Sequence, residues 1–317
     1  MRSLITGVRG FAGGHLADGL ALTPQAEVWG CDRSDERLPF HPPQLQLTAI
    51  DLRDPAAVYA LIETIRPEAI YHLAGQAFVG ASWDDPWSTL ELNLRAQLNI
   101  LEATRRFCPH ARVLVIGSNE EYGLLAPDTG PVDEATPLRP CNPYGVSKVA
   151  QDMLGLQYHL SHQLQVVRVR PFNHIGPRQN PQFVVPAFAS QIAAIEAGRQ
   201  PPIIRVGNLA ARRDFTDVRD MMRAYMLALE LGEAGEVYNI GTGQSRSIQA
   251  VLQALLALAA VPITIEIDPA RLRPADVPDM VCDAAKFRAR TGWAPRVDFE
   301  QTLLDVLNYE RARIAAL

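Results

Sequence analysis

Lysine, cysteine and long apolar runs are all scarce in this chain of 317 residues. The four cysteines, Cys31, Cys108, Cys141 and Cys282, are scattered without C-x-x-C spacing. That argues against a thiolate metal site, and no metal is expected; it also fits a reducing compartment. The longest apolar segment, "VLQALLALAAV" at 251–261, is too short to span a bilayer and predicts a buried helix. Near the start, Gly7 and Arg9 interrupt the apolar stretch before a signal-type segment can form, so a cytoplasmic protein is expected. Positive charge is not in excess either. With a formal net charge of −5 the chain has no general attraction to nucleic acid or anionic membrane, and any phosphate site must be local. Internal repeats and low-complexity tracts are missing.

The lysine shortage is the most informative. Of 30 basic residues, 28 are arginine and two, Lys148 and Lys286, are lysine. One of the two lies in "NPYGVSK" (142–148), four residues after Tyr144. On a helix that spacing puts both side chains on one face. An ammonium beside a phenol stabilises the phenolate, which brings the hydroxyl toward acid–base service near neutrality. Arginine is no substitute where a compact cation must reach both phenol and cofactor ribose. An exposed helix-surface pair is the plainer reading of the same spacing.

The first half alternates short apolar runs with helical patterns. Strands are predicted at 2–7, 27–32, 69–75, "RVLVIGS" and 164–170, and helices at 12–22, 55–66, about 87–107 and about 144–162. Such alternation implies parallel βαβ units in a doubly wound sheet covered on both faces. The fold class is therefore α/β, a Rossmann-type sheet with a smaller C-terminal lobe. Residues 1–170, with about 210–238 returning, form the dinucleotide-binding domain. About 171–209 and 239–317, richer in Pro and Arg, form the substrate lobe.

"TGVRGFAGGHL" sets Gly7, Gly10 and Gly13 between the first strand and first helix. A pyrophosphate needs that combination of tight turn, bare backbone and helix N-terminus. Asp32, ending the second strand, is the acid expected on the ribose hydroxyls of NAD. Arg33 beside it and Arg9 in the glycine loop could instead hold a 2′-phosphate. Both NAD(H) and NADP(H) stay open, with Asp32 tilting the reading to NAD(H). Asp51 and Leu52 are placed near the adenine, although Asp51 reads equally well as a helix cap.

Ser118 follows the strand "RVLVI" at a carboxyl end, where ligands bind in open α/β sheets, and its hydroxyl could share a substrate carbonyl with Tyr144. If strand alternation continues through "GSNEEYG" (117–123), Glu120 joins Ser118 on the reacting side and Glu121 faces away.

The G-x-x-G-x-x-G pattern, "HLAG" (72–75), Asn93, Ser118 and Y-x-x-x-K together resemble the extended short-chain dehydrogenase/reductase family over essentially the whole chain. Its nucleotide-sugar branch is indicated by "RPFNHIGPRQ" (170–179), "VGNLAARRDFTDVRD" (206–220), "VYNIGTG" (237–243), "RLRPADVP" (271–278) and "TGWAP" (291–295). Within it the chain is most similar to GDP-4-keto-6-deoxy-D-mannose reductases, which make GDP-D-rhamnose, with GDP-mannose 4,6-dehydratases and related epimerases as alternatives. The resemblance implies Ser118, Tyr144, Lys148 and Glu120 as catalytic residues. It adds Phe11, Leu73, Ala74, Gly75, Asn93 and Pro171 to the cofactor site. For the substrate it implies Val79, Asn173, Val184, Asn208, Arg213, Asn239, Arg273 and Asp276, with amides around Asn173 and the two arginines on the diphosphate and Asp276 on the guanosine ribose. A homodimer through the two long helices is implied by the same analogy.

In the dehydratases, the resemblance further implies, the Glu at position 120 removes a proton from C5 and its preceding Asp or Ser helps expel the C6 hydroxyl. Here that neighbour is Asn119, and an amide cannot deliver a proton as a carboxylic acid does. A 4-ketoreductase is the simpler expectation.

Overall fold

The computed structural model describes residues 1–126, 129–271 and 277–316. Among them a seven-stranded sheet carries the first strands: β1 (Arg2–Thr6), β2 (Glu27–Asp32), β3 (Gln46–Ala49), β4 (Ala69–His72), β5 (Arg112–Ile116), β6 (Gln165–Pro171) and β10 (Val237–Ile240). The order is β10-β6-β5-β4-β1-β2-β3, with every neighbouring pair parallel. Strand order reverses between β1 and β4, and a crevice opens above their carboxyl ends.

The elements follow from local chemistry. Helix α2 (Pro55–Ile65) starts at Asp54, whose carboxylate accepts the Ala56 N–H, followed by proline. Helices α4 (Pro86–Phe107) and α5 (Pro143–His162) repeat the device with Asp85–Pro86 and Asn142–Pro143. The strands β4 and β5 are buried along their length, apart from the ends of β5, because α1 (Phe11–Ala21) and α7 (Val218–Leu231) cover one face and α2, α4 and α5 the other.

The second lobe contains a three-stranded sheet of β7 (Asn173–Ile175), β9 (Arg212–Asp217) and β11 (Ser245–Ser247), and a pair, β8 (Ile203–Val206) with β12 (Thr264–Ile267). Helices α6 (Val184–Glu196), α8 (Ile248–Ala257) and α10 (Phe299–Ala315) enclose its core.

The expected return segment, 210–238, divides: β9 stays in the lobe, while α7 packs on the main sheet. Phe287 and Trp293 also join the core of the main sheet, through α9 (Ala285–Thr291). The run at 251–261 forms a helix only to Ala257 and buries one face, with Val251, Leu252 and Leu255 inside and Leu258 and Val261 exposed.

Candidate active site

At the crevice, Gly7 closes β1 with a φ of +70°, and a Cβ there would lie 2.8 Å from the Ala74 backbone. Only glycine combines that conformation with that approach. A Cβ on Gly13 would stand 2.2 Å from the Gly7 carbonyl. Gly10 caps α1 without a side-chain hydrogen bond, so the first amides of the helix are left for a ligand. This cradle fits a dinucleotide pyrophosphate. Phe11 opens the helix and stacks on His174 at 5.9 Å between centroids, while Leu73, Ala74 and Gly75 form the facing loop.

Asp32 accepts the Arg9 amide on one oxygen (3.1 Å) and the Arg33 amide on the other (2.8 Å). Each oxygen keeps lone-pair capacity for a ribose hydroxyl. The Arg9 guanidinium pairs with exposed Glu36 at 3.1 Å, and the Arg33 side chain is exposed. Asp51 is engaged bidentately by Arg53, which holds its carboxyl down at about 2; Leu52 is buried beside it.

Over the carboxyl end of β5 the expectation and the structure part. The strand stops at Ile116, and Ser118 caps a single 3-10 turn, Asn119–Glu121. Strand alternation therefore does not reach Glu120. Its carboxylate accepts the Asn142 amide (2.7 Å), at the cap of α5, and its charge acts on the Tyr144 phenol. Glu121 does not face away: it is fully buried, accepting the Ser118 N–H at 2.8 Å. Asn119 is also buried and donates to Met280 Sδ at 3.4 Å.

Tyr144 and Lys148 share one face of α5, with Nζ 5.7 Å from the ring centroid and donating to the Ile116 carbonyl at 2.9 Å. Ser118 and Tyr144 are both buried, 6% and 8% exposed. Burial pushes the Tyr144 phenol well above the usual tyrosine range; the Ser118 hydroxyl opposes this, and Glu120 and Glu121 add to it. Burial thus dominates at Tyr144, which stands as a protonated acid. Burial brings Lys148 down to about 8, with Glu121 opposing. Nearby His72, hydrogen-bonded to Thr6 at 2.9 Å, is pushed by burial down to about 3 and stays neutral.

Two residues expected to touch ligands are spent on the scaffold. Asn93 is fully buried, with its amide on Gln76 (2.7 and 3.2 Å) and Ser147 (2.9 Å), tying the β4 loop to α5. Asn239, in β10, is enclosed between the Tyr122 hydroxyl (2.6 Å) and the Val132 carbonyl (2.9 Å). Asparagine in a polar motif reads alike whether it meets ligand or backbone, so sequence alone could not separate these roles. Asn173 differs, because its Oδ1 is buried without a partner. Pro171 ends β6 inside the core boundary, and Val79 and Val184 flank the Phe78–Phe183 edge contact (5.7 Å) that bridges the lobes. Arg213 donates to the Val277 carbonyl at 2.7 Å, and Asn208 lies in an exposed turn, accepting the Ala210 amide. Arg273 and Asp276 lie outside the described residues. Among the described residues no group of His, Cys, Asp and Glu is arranged to hold a metal ion.

Residues 4–306 match the family described as GDP-mannose 4,6 dehydratase. The chain belongs to that family. Within it, and among extended short-chain dehydrogenase/reductases generally, the similarities are long. GDP-6-deoxy-D-mannose reductase of Pseudomonas aeruginosa is 35% identical over 316 residues, spanning 99% of this chain and 98% of the relative. A solved structure of the Pseudomonas aeruginosa protein RMD complexed with NADPH superposes with a TM-score of 0.86 at 34% identity, covering 98% of this chain and 99% of that one. UDP-glucose 4-epimerase of Thermus thermophilus, in complex with NAD, gives 0.88 at 30% identity, covering 98% and 99%. The chain is thus similar to proteins named as a reductase, an epimerase and a dehydratase family, and the site itself must choose among them.

Proposed function

We propose that the protein reduces the C4 ketone of GDP-4-keto-6-deoxy-D-mannose to GDP-D-rhamnose with NAD(P)H. The observation that carries this reading is a buried, protonated Tyr144 near Ser118, with the amide Asn119 standing where a dehydratase needs an acid. Reduction needs an acid at the forming alkoxide. Dehydration needs a base at C5 and an acid at the C6 hydroxyl, and Asn119, a buried amide donating to Met280 Sδ, cannot be that acid.

The glycine cradle, Asp32 and Lys148 would hold a dihydronicotinamide dinucleotide, which would supply the hydride to C4. Ser118 Oγ donates to the carbonyl oxygen and polarises it, and Tyr144 passes its phenolic proton to that oxygen as charge develops. Lys148 holds the ribose and steadies the phenolate left behind. The glycine cradle and the amides of α1 orient the pyrophosphate, and Asp32 receives the adenosine ribose. Asn173, with its unpartnered buried oxygen, and Arg213 serve the sugar diphosphate side. The Asp32 carboxylate favours NADH over NADPH modestly, since Arg9 and Arg33 offset its repulsion of a 2′-phosphate.

The test follows absorbance at 340 nm with NADH or NADPH and GDP-4-keto-6-deoxymannose generated in situ, against GDP-mannose alone. Oxidation that requires the keto sugar supports the reductase, and the cofactor with the higher kcat/KM tests the role of Asp32. Conversion of GDP-mannose alone to a keto sugar, without net change at 340 nm, would establish a dehydratase instead. Glu120→Gln sharpens the distinction: a reductase retains turnover to within about tenfold, whereas loss of a general base costs about 10²–10⁴-fold.

The chain also fits a cytoplasmic homodimer. No helix among the described residues is long and apolar enough to cross a membrane. On α5, Val146, Met153 and Leu160 recur every seven residues and are 45%, 40% and 65% exposed, and Trp87 and Leu98 on the neighbouring α4 are exposed as well. Pairing that stripe with its copy removes apolar surface from water. A sedimentation mass of one chain would reject the dimer.

A further inference from the structure

Helix α1, whose first amides form the pyrophosphate cradle, is gripped along one face by the segment that follows β6. Phe11, His15 and Asp18 stand at i, i+4 and i+7 and so form a single stripe on α1. Each meets its own partner in residues 174–178. Phe11 stacks on His174 with centroids 5.9 Å apart, His15 Nε2 donates to the Pro177 carbonyl at 2.9 Å, and Asp18 pairs with Arg178 Nη2 at 2.7 Å. Burial brings His15 down to about 4, so the ring is neutral and its Nδ1 is left to accept Arg178 Nη2 at 2.5 Å.

The same guanidinium makes a further contact. Phe40 lies in the connection between β2 and β3, which begins beside Asp32 and Arg33, and its ring centroid is 4.5 Å from Arg178 Cζ. That ring also rests on α1, where a Cβ on Gly14 would stand 2.7 Å from Phe40 Cε2. Arg178 therefore ties together the cradle helix, the connection on the adenosine side and, through its own backbone, the segment that begins at Asn173.

Its backbone carries a cost. The φ of Arg178 is +75°, a left-handed conformation that is unfavourable for a residue with a Cβ and persists only where the surroundings hold it. Asp18, His15 and Phe40 supply that hold around a side chain only 12% exposed. Loss of these contacts lets the backbone relax, so the segment has a latched and a released arrangement.

We propose that Arg178 is a positioning residue that couples the two diphosphate sites, so that a cofactor on α1 favours the latched segment and with it a nucleotide sugar at Asn173. The inference rests on the reading of Asn173 as a residue of the sugar-diphosphate side. Linkage makes the coupling reciprocal, with each ligand raising the affinity of the other by one common factor. A residue that merely held the fold would weaken both ligands and leave that factor unchanged.

The experiment titrates NADH and NADPH fluorescence in wild type and Arg178→Ala, without and with saturating GDP, UDP or dTDP. In wild type the diphosphate is expected to lower the dissociation constant of the cofactor by about fivefold or more. In Arg178→Ala both ligands still bind, and the factor falls below about twofold. Asp18→Asn keeps the shape of the side chain, removes its charge and should reduce the factor in the same direction; it serves where Arg178→Ala does not fold. A wild-type factor of one with every diphosphate, or an equal factor in wild type and variants, would overturn the proposal. Coupling by UDP or dTDP but not by GDP would defeat the GDP-sugar reading, and the same comparison of variants with that diphosphate would still decide the role of Arg178.

Discussion

Tyr144→Phe is expected to lower ketone reduction by about 10²–10⁴-fold, the usual contribution of a positioned general acid. Phenylalanine keeps the ring beside Lys148 and removes only the phenolic hydroxyl. The hydride has nowhere to go unless the developing alkoxide is protonated, and Ser118 cannot replace the lost acid because its own proton is far less available. Cofactor affinity should be retained, since the pyrophosphate cradle and Asp32 lie on other elements. Stopped-flow turnover of the keto sugar together with NADH fluorescence titration checks both halves. A variant within tenfold of wild type would mean that another group delivers the proton.

The second large effect concerns stability. Asp152→Ala is expected to cost about 3–5 kcal/mol, because it removes one member of a buried ionic cluster and strands its partners. Arg168 and Arg170 are 6% and 3% exposed, and Asp152 receives both at 2.5–2.9 Å. Glu121 alone cannot neutralise two guanidiniums. Against a typical stability of roughly 5–15 kcal/mol that is a large share. The denaturant midpoint should fall sharply, and an added Arg168→Met should recover part of the loss by removing one uncompensated charge. A midpoint within experimental scatter of wild type would show that the cluster is solvated in a way its burial does not allow.

These two residues sit four helical positions on either side of Lys148, and they illustrate what the sequence displayed and what it hid. Tyr144 was legible because chemistry and spacing coincide: with so few lysines in the chain, Tyr-x-x-x-Lys on a helix needed explaining. Asp152 has the same periodicity but reads as an ordinary solvated face of α5. Only the arrival of β6, with two arginines on one strand, makes it a buried anion.

The sequence by itself determined the α/β alternation, the glycine loop between β1 and α1, and the proline-led starts of α2, α4 and α5, because those depend on periodicity, backbone freedom and capping over a few residues. It also supplied the Ser118, Tyr144 and Lys148 set. The reciprocal cap between Ser118 and Glu121 is a local signal for the turn in "GSNEEYG", and the tertiary structure decided where its carboxylates go. Gly117 and Arg170 give Glu121 its buried place, and Asn142 takes Glu120. The physical reason is that a carboxylate's direction is set by the cation it meets, and that cation came from a strand far along the chain.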